Sequence, residues 1–149
     1  MTDPGRLPSL RTELFGELIY NPSVNWYEGE TTWNGASVRI NFELDENDSI
    51  ETGLQTAAAM WPDMEAWNSR IRDFAAAELL ELKNESWLEE DEAEVTADEF
   101  KSRMELESIG FKPEGWFEFW HNDGDLFWGH FIFVGGNLAD GPLNAEIPG

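Results

Sequence analysis

The spacing of apolar side chains along the chain changes twice. Residues 14–20 (LFGELIY), 26–33 (WYEGETTW) and 36–44 (ASVRINFEL) alternate apolar and polar positions, the period of a half-buried strand. Val38, Ile40 and Phe42 alternate with Arg39, Asn41 and Glu43. Asn34-Gly35 separates the last two runs. A two-residue hairpin loop needs positive φ at both central positions, which Asn and Gly tolerate. The first third is therefore expected to be a three-stranded meander. Residues 45–49 (DENDS) break the alternation and are expected to lead into a helix.

From Ile50 to Trp87 the period becomes that of a helix. Leu54, Ala57, Ala58 and Trp61 form one stripe, and Pro62 suits the first turn of a second helix. Met64, Trp67, Ile71, Phe74, Ala75, Leu79 and Leu82 continue the stripe over roughly five turns. Thr96 and Glu99 have the spacing of a capping box, in which hydroxyl and carboxylate each satisfy an amide at a helix start. Phe100 and Met104 then share one face of a short helix. After Leu106 the period returns to two. LESIGFK, WFEFWH and LFWGHFIFV read as three more strands, separated by Pro113-Glu114-Gly115 and Asp123-Gly124. The tail, GGNLADGPLNAEIPG, is turn-rich and expected to be irregular. This pattern predicts an α+β fold. An antiparallel sheet of about six strands comes from two three-stranded meanders, with two or three helices between them packed on one face. Residues 1–12, with two prolines and a glycine, are expected as a flexible N-terminal arm, and 13–149 as a single α+β domain.

The stretch WFEFWHNDGDLFWGH carries the densest candidate chemistry. If Asp123-Gly124 closes a two-residue turn, His121 faces Leu126, Phe119 faces Trp128 and Phe117 faces His130. Phe117, Phe119, His121, Leu126, Trp128, His130, Ile132 and Val134 then share one face, and Trp116, Glu118, Trp120, Phe127, Phe131 and Phe133 the other. Helices on one side of the sheet leave the second aromatic face to be covered by the tail, by a partner or by nothing. In that register His121 and His130 stand about 13 Å apart along the strand, too far to share a metal. His121, Asp123 and Asp125, with Trp128 and His130 beside them, remain a candidate small-ligand site.

Composition narrows the functional classes. Thirty-one acidic and nine basic residues give the 149-residue chain a formal charge of -22. Such a surface repels nucleic-acid phosphates and anionic lipid and attracts a basic partner. With no cysteine, disulfides, thiolate metal sites and cysteine catalysis are excluded. No run is long and apolar enough for a membrane span, and residues 1–12 lack the core of a secretory signal, so a cytoplasmic protein is expected. No serine lies in a G-x-S-x-G context, and no glycine run precedes Lys-Ser or Lys-Thr. No catalytic residue, cofactor or metal is assigned.

Between Glu85 and Glu99 the chain has no Lys or Arg. Glu85, Glu89, Glu90, Asp91, Glu92 and Glu94, with Trp87 among them, suit a surface that draws in a basic protein. The segments FGELIYN, NWYEGE, W-N-G, LLELKNESWL and FEFWHNDGDLFWGH resemble the bacterial domain-of-unknown-function family number 2262, from about Leu14 into the tail. That resemblance implies a single-domain soluble bacterial protein and brings no activity, cofactor or catalytic residue with it. Two readings follow. The first is a non-enzymatic acidic interaction protein, immunity- or antitoxin-like, that masks a basic partner. The alternative is a small-ligand-binding or hydrolytic domain built on the aromatic hairpin around His121.

Overall fold

The computed structural model describes residues 7–148. It contains eight strands: β1 (Leu10–Thr12), β2 (Gly16–Asn21), β3 (Trp26–Trp33), β4 (Ala36–Glu43), β5 (Glu105–Phe111), β6 (Trp116–Asn122), β7 (Ile132–Asn137) and β8 (Gly141–Glu146). Between β4 and β5 lie α1 (Glu51–Met60), a 3-10 turn (Trp61–Asp63), α2 (Met64–Ser86) and α3 (Ala97–Arg103). The strands form one sheet in sequence order. Neighbours are antiparallel except β4 and β5, which run parallel with Arg39 opposite Ser108 and Phe42 opposite Phe111. Parallel neighbours need a long crossover, and the whole helical segment supplies it. Two meanders thus join edge to edge through a single parallel pair.

The architecture is α+β, with eight strands where six were expected. The two additional strands come from segments expected to be irregular. Leu10–Thr12 of the expected arm pairs with Gly16–Leu18, so the boundary drawn after residue 12 falls inside a hairpin; residues 1–6 lie outside the described residues. In the tail, β8 pairs with β7 across a bulge at Gly135/Gly136. A Cβ on Gly136 would run into the backbone of Gly141 and Pro142, so this close pairing depends on glycine.

Elsewhere the local signals match the structure. Asn34 and Gly35 both have positive φ (48° and 85°), as the hairpin requires. The Thr96 hydroxyl accepts from the Glu99 amide at 3.1 Å and starts α3. Thr96→Ala is expected to cost about 1 kcal/mol, read from the urea unfolding midpoint.

The core lies between the helices and one face of the sheet. Val38, Ile40, Phe42, Ile109, Phe111, Phe117, Phe119, Ile132 and Val134 meet Ala57, Met60, Ile71, Ala75 and Leu79 there. Phe42 and Phe111 stack at 5.3 Å across the parallel pair. A Cβ at Gly53 would lie 3.1 Å from the Phe42 ring, which lets α1 sit close against that stack. Among the described residues no helix is long and apolar enough to cross a membrane.

The C-terminal hairpin departs from the expected register. His121 lies opposite Ile132, Phe119 opposite Val134 and Phe117 opposite Gly136. Asp123-Gly124 does not close a two-residue turn; residues 123–131 form a folded loop instead. The register differs from the expected one by an even number of residues. Phe117, Phe119, His121, Ile132 and Val134 therefore keep their common face, which packs beneath the helices, while Leu126, Trp128 and His130, expected on that face, lie in the loop. Trp116, Glu118, Trp120 and Phe133 lie on the helix-free face. β8 extends the sheet at its edge and leaves that face open: Trp116 is 42 % and Phe131 40 % exposed.

Candidate functional site

Two regions singled out from the sequence meet at one end of the molecule. They are the acidic segment after α2 and the loop of residues 123–131. Trp87, at the C-terminus of α2, lies 5.6 Å from Phe127, 4.7 Å from Trp128 and 5.3 Å from His130 between ring centroids, all edge-on. Edge-to-face packing of this kind adds about 0.5–1.5 kcal/mol per pair beyond burial.

The loop is organised from within by Asp123, which is 5 % exposed. Its Oδ1 accepts from the amide of Asp125 at 3.0 Å. Its Oδ2 accepts from the amides of Phe127 at 2.8 Å and Gly129 at 2.9 Å. A carboxylate gathering three amides replaces the backbone pairing of a tight hairpin, which explains why the two-residue turn gives way. Leu126 and Phe127 are buried, and the Phe127 ring packs on Phe100 of α3 at 5.9 Å. Gly124, Asp125, Trp128 and Gly129 all have positive φ. Trp128 stands out, because a bulky side chain at φ 57° costs about 1–2 kcal/mol relative to the right-handed conformation. It is nonetheless 54 % exposed.

The acidic segment is held by a cation the sequence reading passed over. Lys83 sits on the core-facing stripe of α2, four residues beyond Leu79, and is fully buried. Its Nζ donates to the Trp87 carbonyl at 2.7 Å and to Glu92 Oε1 at 2.8 Å. A lysine in an apolar stripe was the available signal, since such a charge persists only when paired. Arg103, also passed over, donates from Nε (3.0 Å) and Nη2 (2.6 Å) to the Gly124 carbonyl. Its Nη1 lies 3.5 Å from Glu92 Oε2. It thereby ties the acidic segment to the aromatic loop. Asn84 clasps Val95 through both backbone groups, at 3.0 and 2.8 Å.

Glu92 is thus an internal strut and not a free surface charge. The Lys83 ammonium, then the Glu89 amide, hold its carboxyl below the usual range. Glu85, Glu89, Glu90, Asp91 and Glu94 are exposed. Glu89, Glu90 and Asp91 join Asp125 around a bowl of about 480 Å³, with Glu92 and Arg103 in its wall. Asp125 comes from the aromatic loop, so this bowl is built from both regions.

The candidate ligand set does not converge. His121 is fully buried on the helix side of the sheet, where its Nδ1 lies 3.4 Å from the Ile132 carbonyl. Burial, then the nearby Arg72 guanidinium, push its imidazole down to about 3. A neutral ring with no path to solvent cannot serve a ligand or exchange protons at neutral pH. His130 is half-buried beside Trp87, and its Nδ1 donates to the Phe127 carbonyl at 2.7 Å. Asp123 spends both oxygens on backbone amides, while Asp125 lines the acidic bowl and the Trp128 ring packs on Trp87. Among the described residues no group of three or more His, Asp or Glu side chains is placed to hold a metal.

The family model described as "Uncharacterized protein conserved in bacteria (DUF2262)" matches residues 12–147. No curated protein and no solved structure matches the chain. The chain belongs to the DUF2262 family.

Proposed function

We propose that this member of an uncharacterised bacterial family is a non-enzymatic interaction protein, immunity- or antitoxin-like, that captures and masks a basic protein. One observation carries the reading: an exposed tryptophan, Trp128, is kept in a costly backbone conformation in the same loop as Asp125 of the acidic bowl, packed on Trp87 just before the acidic segment. Strain of this sort is retained where the surrounding structure enforces it for a purpose. A tryptophan in a charged rim is a typical interface anchor, and the bowl supplies the complementary charge. The partner's cationic side chains would meet Glu89, Glu90, Asp91 and Asp125, with an apolar or guanidinium group against the Trp128 face. The overall charge of -22 favours the encounter from a distance.

Two variants separate the contributions, assayed against a basic partner recovered by affinity capture from the native bacterium. Glu89→Gln, Glu90→Gln and Asp91→Asn together should slow association roughly tenfold or more at low salt and flatten its salt dependence. Glu92 is left intact, because removing it would disturb Lys83 and Arg103. Trp128→Gly relieves the backbone strain but loses the contact with Trp87, so the two effects nearly offset and the fold should change by no more than about 1 kcal/mol while the complex dissociates faster. Unchanged association in the first variant and unchanged dissociation in the second would sink the reading.

A further inference from the structure

The helix-free face of the sheet carries a trough of its own, distinct from the acidic bowl. One row of paired residues crosses it from strand to strand: Glu28, Asn41, Gly110, Glu118, Gly135 and Asn144. Gly110 and Gly135 flank Glu118 and let neighbouring side chains lie close over the sheet, the Asn41 amide at Gly110 and the Phe133 ring at Gly135. A Cβ at Gly110 would stand 2.8 Å from Asn41 Oδ1, and one at Gly135 2.9 Å from the Phe133 ring. Trp120 rises on one side, braced edge-on by Phe133 at 4.8 Å and Phe131 at 6.2 Å. Trp26 rises on the other, its indole N–H donating to Glu28 Oε1 at 2.7 Å. The Asn21 amide donates to the same oxygen at 3.1 Å, so this wall is fixed at its base. The space between the two indoles measures about 280 Å³ and shares Trp26, Arg39, Asn41 and Ser108 with a hollow of about 620 Å³ over β2–β4.

The charges around the trough do not balance. Arg39 is engaged by Glu107 at 2.7 Å. Lys112 stands 3.7 Å from Glu43 and 3.6 Å from Glu118, both longer than a good charge-assisted bond. Glu28, Glu30, Glu43, Glu107 and Glu118 set five carboxylates against those two cations, an excess of three negative charges. Burial lifts the Glu118 carboxyl above its ordinary range in spite of Lys112, with Glu43 adding to the rise. A phosphate or carboxylate ligand would be repelled here. A neutral sugar could donate hydroxyls to Glu118 but would leave the excess negative charge unbalanced. A cation satisfies both the carboxylates and the indole faces.

We propose that the trough between Trp26 and Trp120 binds an organic cation, a guanidinium or alkylammonium group whose charge meets Glu118 and Glu28 while its carbon skeleton lies against the indoles. The inference does not depend on the acidic bowl. Spermidine and N-acetyl-arginine amide are the probes, a free polyamine and a stand-in for a peptide-borne guanidinium, with maltose as the neutral comparison. Titration followed by tryptophan fluorescence and by amide NMR should saturate for at least one cation, shift the Asn41 and Gly110 amides, and weaken with added salt. Which cation saturates identifies the source. Glu118→Gln should weaken that binding by roughly tenfold, the loss of one charge-assisted contact. The triple Glu89, Glu90 and Asp91 variant should bind as the parent does. Saturation by maltose alone, no saturation by either cation, or cation shifts that bypass Asn41 and Gly110 would overturn the proposal. The NMR readout on the unaltered chain stands whatever the stability of Glu118→Gln.

Discussion

Asp123→Ala is expected to destabilise the protein by about 3–5 kcal/mol, measured by urea unfolding. The substitution strips three backbone amides of their acceptor at once. The Phe127 amide belongs to a fully buried residue, so water cannot replace the carboxylate there, and an unsatisfied buried donor costs about 1–3 kcal/mol by itself. The amides of Asp125 and Gly129 are nearer solvent and add less. Asp123→Asn gives an intermediate result. Its single carbonyl oxygen can take the place of Oδ2 and serve Phe127 and Gly129, but its NH₂ group then faces the Asp125 amide, donor against donor. The ordering parent, Asn, Ala is the diagnostic. Equal stability of all three would mean that the loop is held by Leu126 and Phe127 packing alone. Disordering the loop also removes the support under Trp128, so the alanine variant should lose partner binding beyond what its folded fraction explains.

The second large effect is a loss of stability in acid that traces to one histidine. In the folded protein the His121 imidazole is pushed down to about 3, against 6.5 for an unperturbed side chain. The unfolded chain therefore takes up the proton first as pH falls. Stability that is complete above pH 6.5 drains away down to about pH 3. That interval is worth of the order of 5 kcal/mol at one proton. Glu92 contributes in the same direction, since its depressed carboxyl also favours the fold only while ionised. The comparison that isolates His121 is the difference between the parent and His121→Leu. The variant should be less sensitive to acid, and the gap between the two stability curves should change steadily from pH 6.5 to 3. Parallel curves would show that His121 does not titrate differently in the two states. Two buried nitrogens without a protein partner, His121 Nε2 and Arg72 Nε, belong to this region. Arg72 Nη1 meanwhile donates to the Lys101 and Met104 carbonyls, both at 2.7 Å, and fixes the end of α3 to α2.

These two results bear on the same stretch, HNDGD, which from sequence resembled either a hairpin turn or a small polar site. It divides by environment. His121 is buried in the core as the next-to-last residue of β6, Asp123 turns inward to hold the loop, and Asp125 turns outward to the acidic bowl. The sequence showed the residue types but not that division. Each choice depends on which backbone amides and which helix lie within reach. The same holds for the acidic segment. Six negative side chains read alike in one dimension, yet Lys83 and Arg103 recruit Glu92 inward and leave Glu89, Glu90 and Asp91 outward.

Local physics was legible in the chain. The Asn34-Gly35 turn, the alternation of β3 and β4, the Thr96 cap and the break at Pro62 each rest on interactions within a few residues. The shared face of Phe117, Phe119 and His121 was legible too, because strand alternation is fixed by backbone geometry whatever the register. What needed the tertiary structure rests on contacts between distant segments. Arg11, in a Pro- and Gly-containing stretch, pairs opposite Glu17 as part of an edge strand, and Asn144 lies opposite Gly135 in another. The parallel β4–β5 junction forms because the helices between them cover one face and return the chain to the same edge. The register of β6 and β7 was decided by Asp123, whose carboxylate gathers three amides and displaces the expected turn. Side-chain period determined which strand residues share a face, whereas on α2 Leu82, expected on the apolar stripe, is exposed and Lys83 is buried in its place. Closure of long loops, with buried charges satisfied on the way, decided which surfaces remain open to a partner.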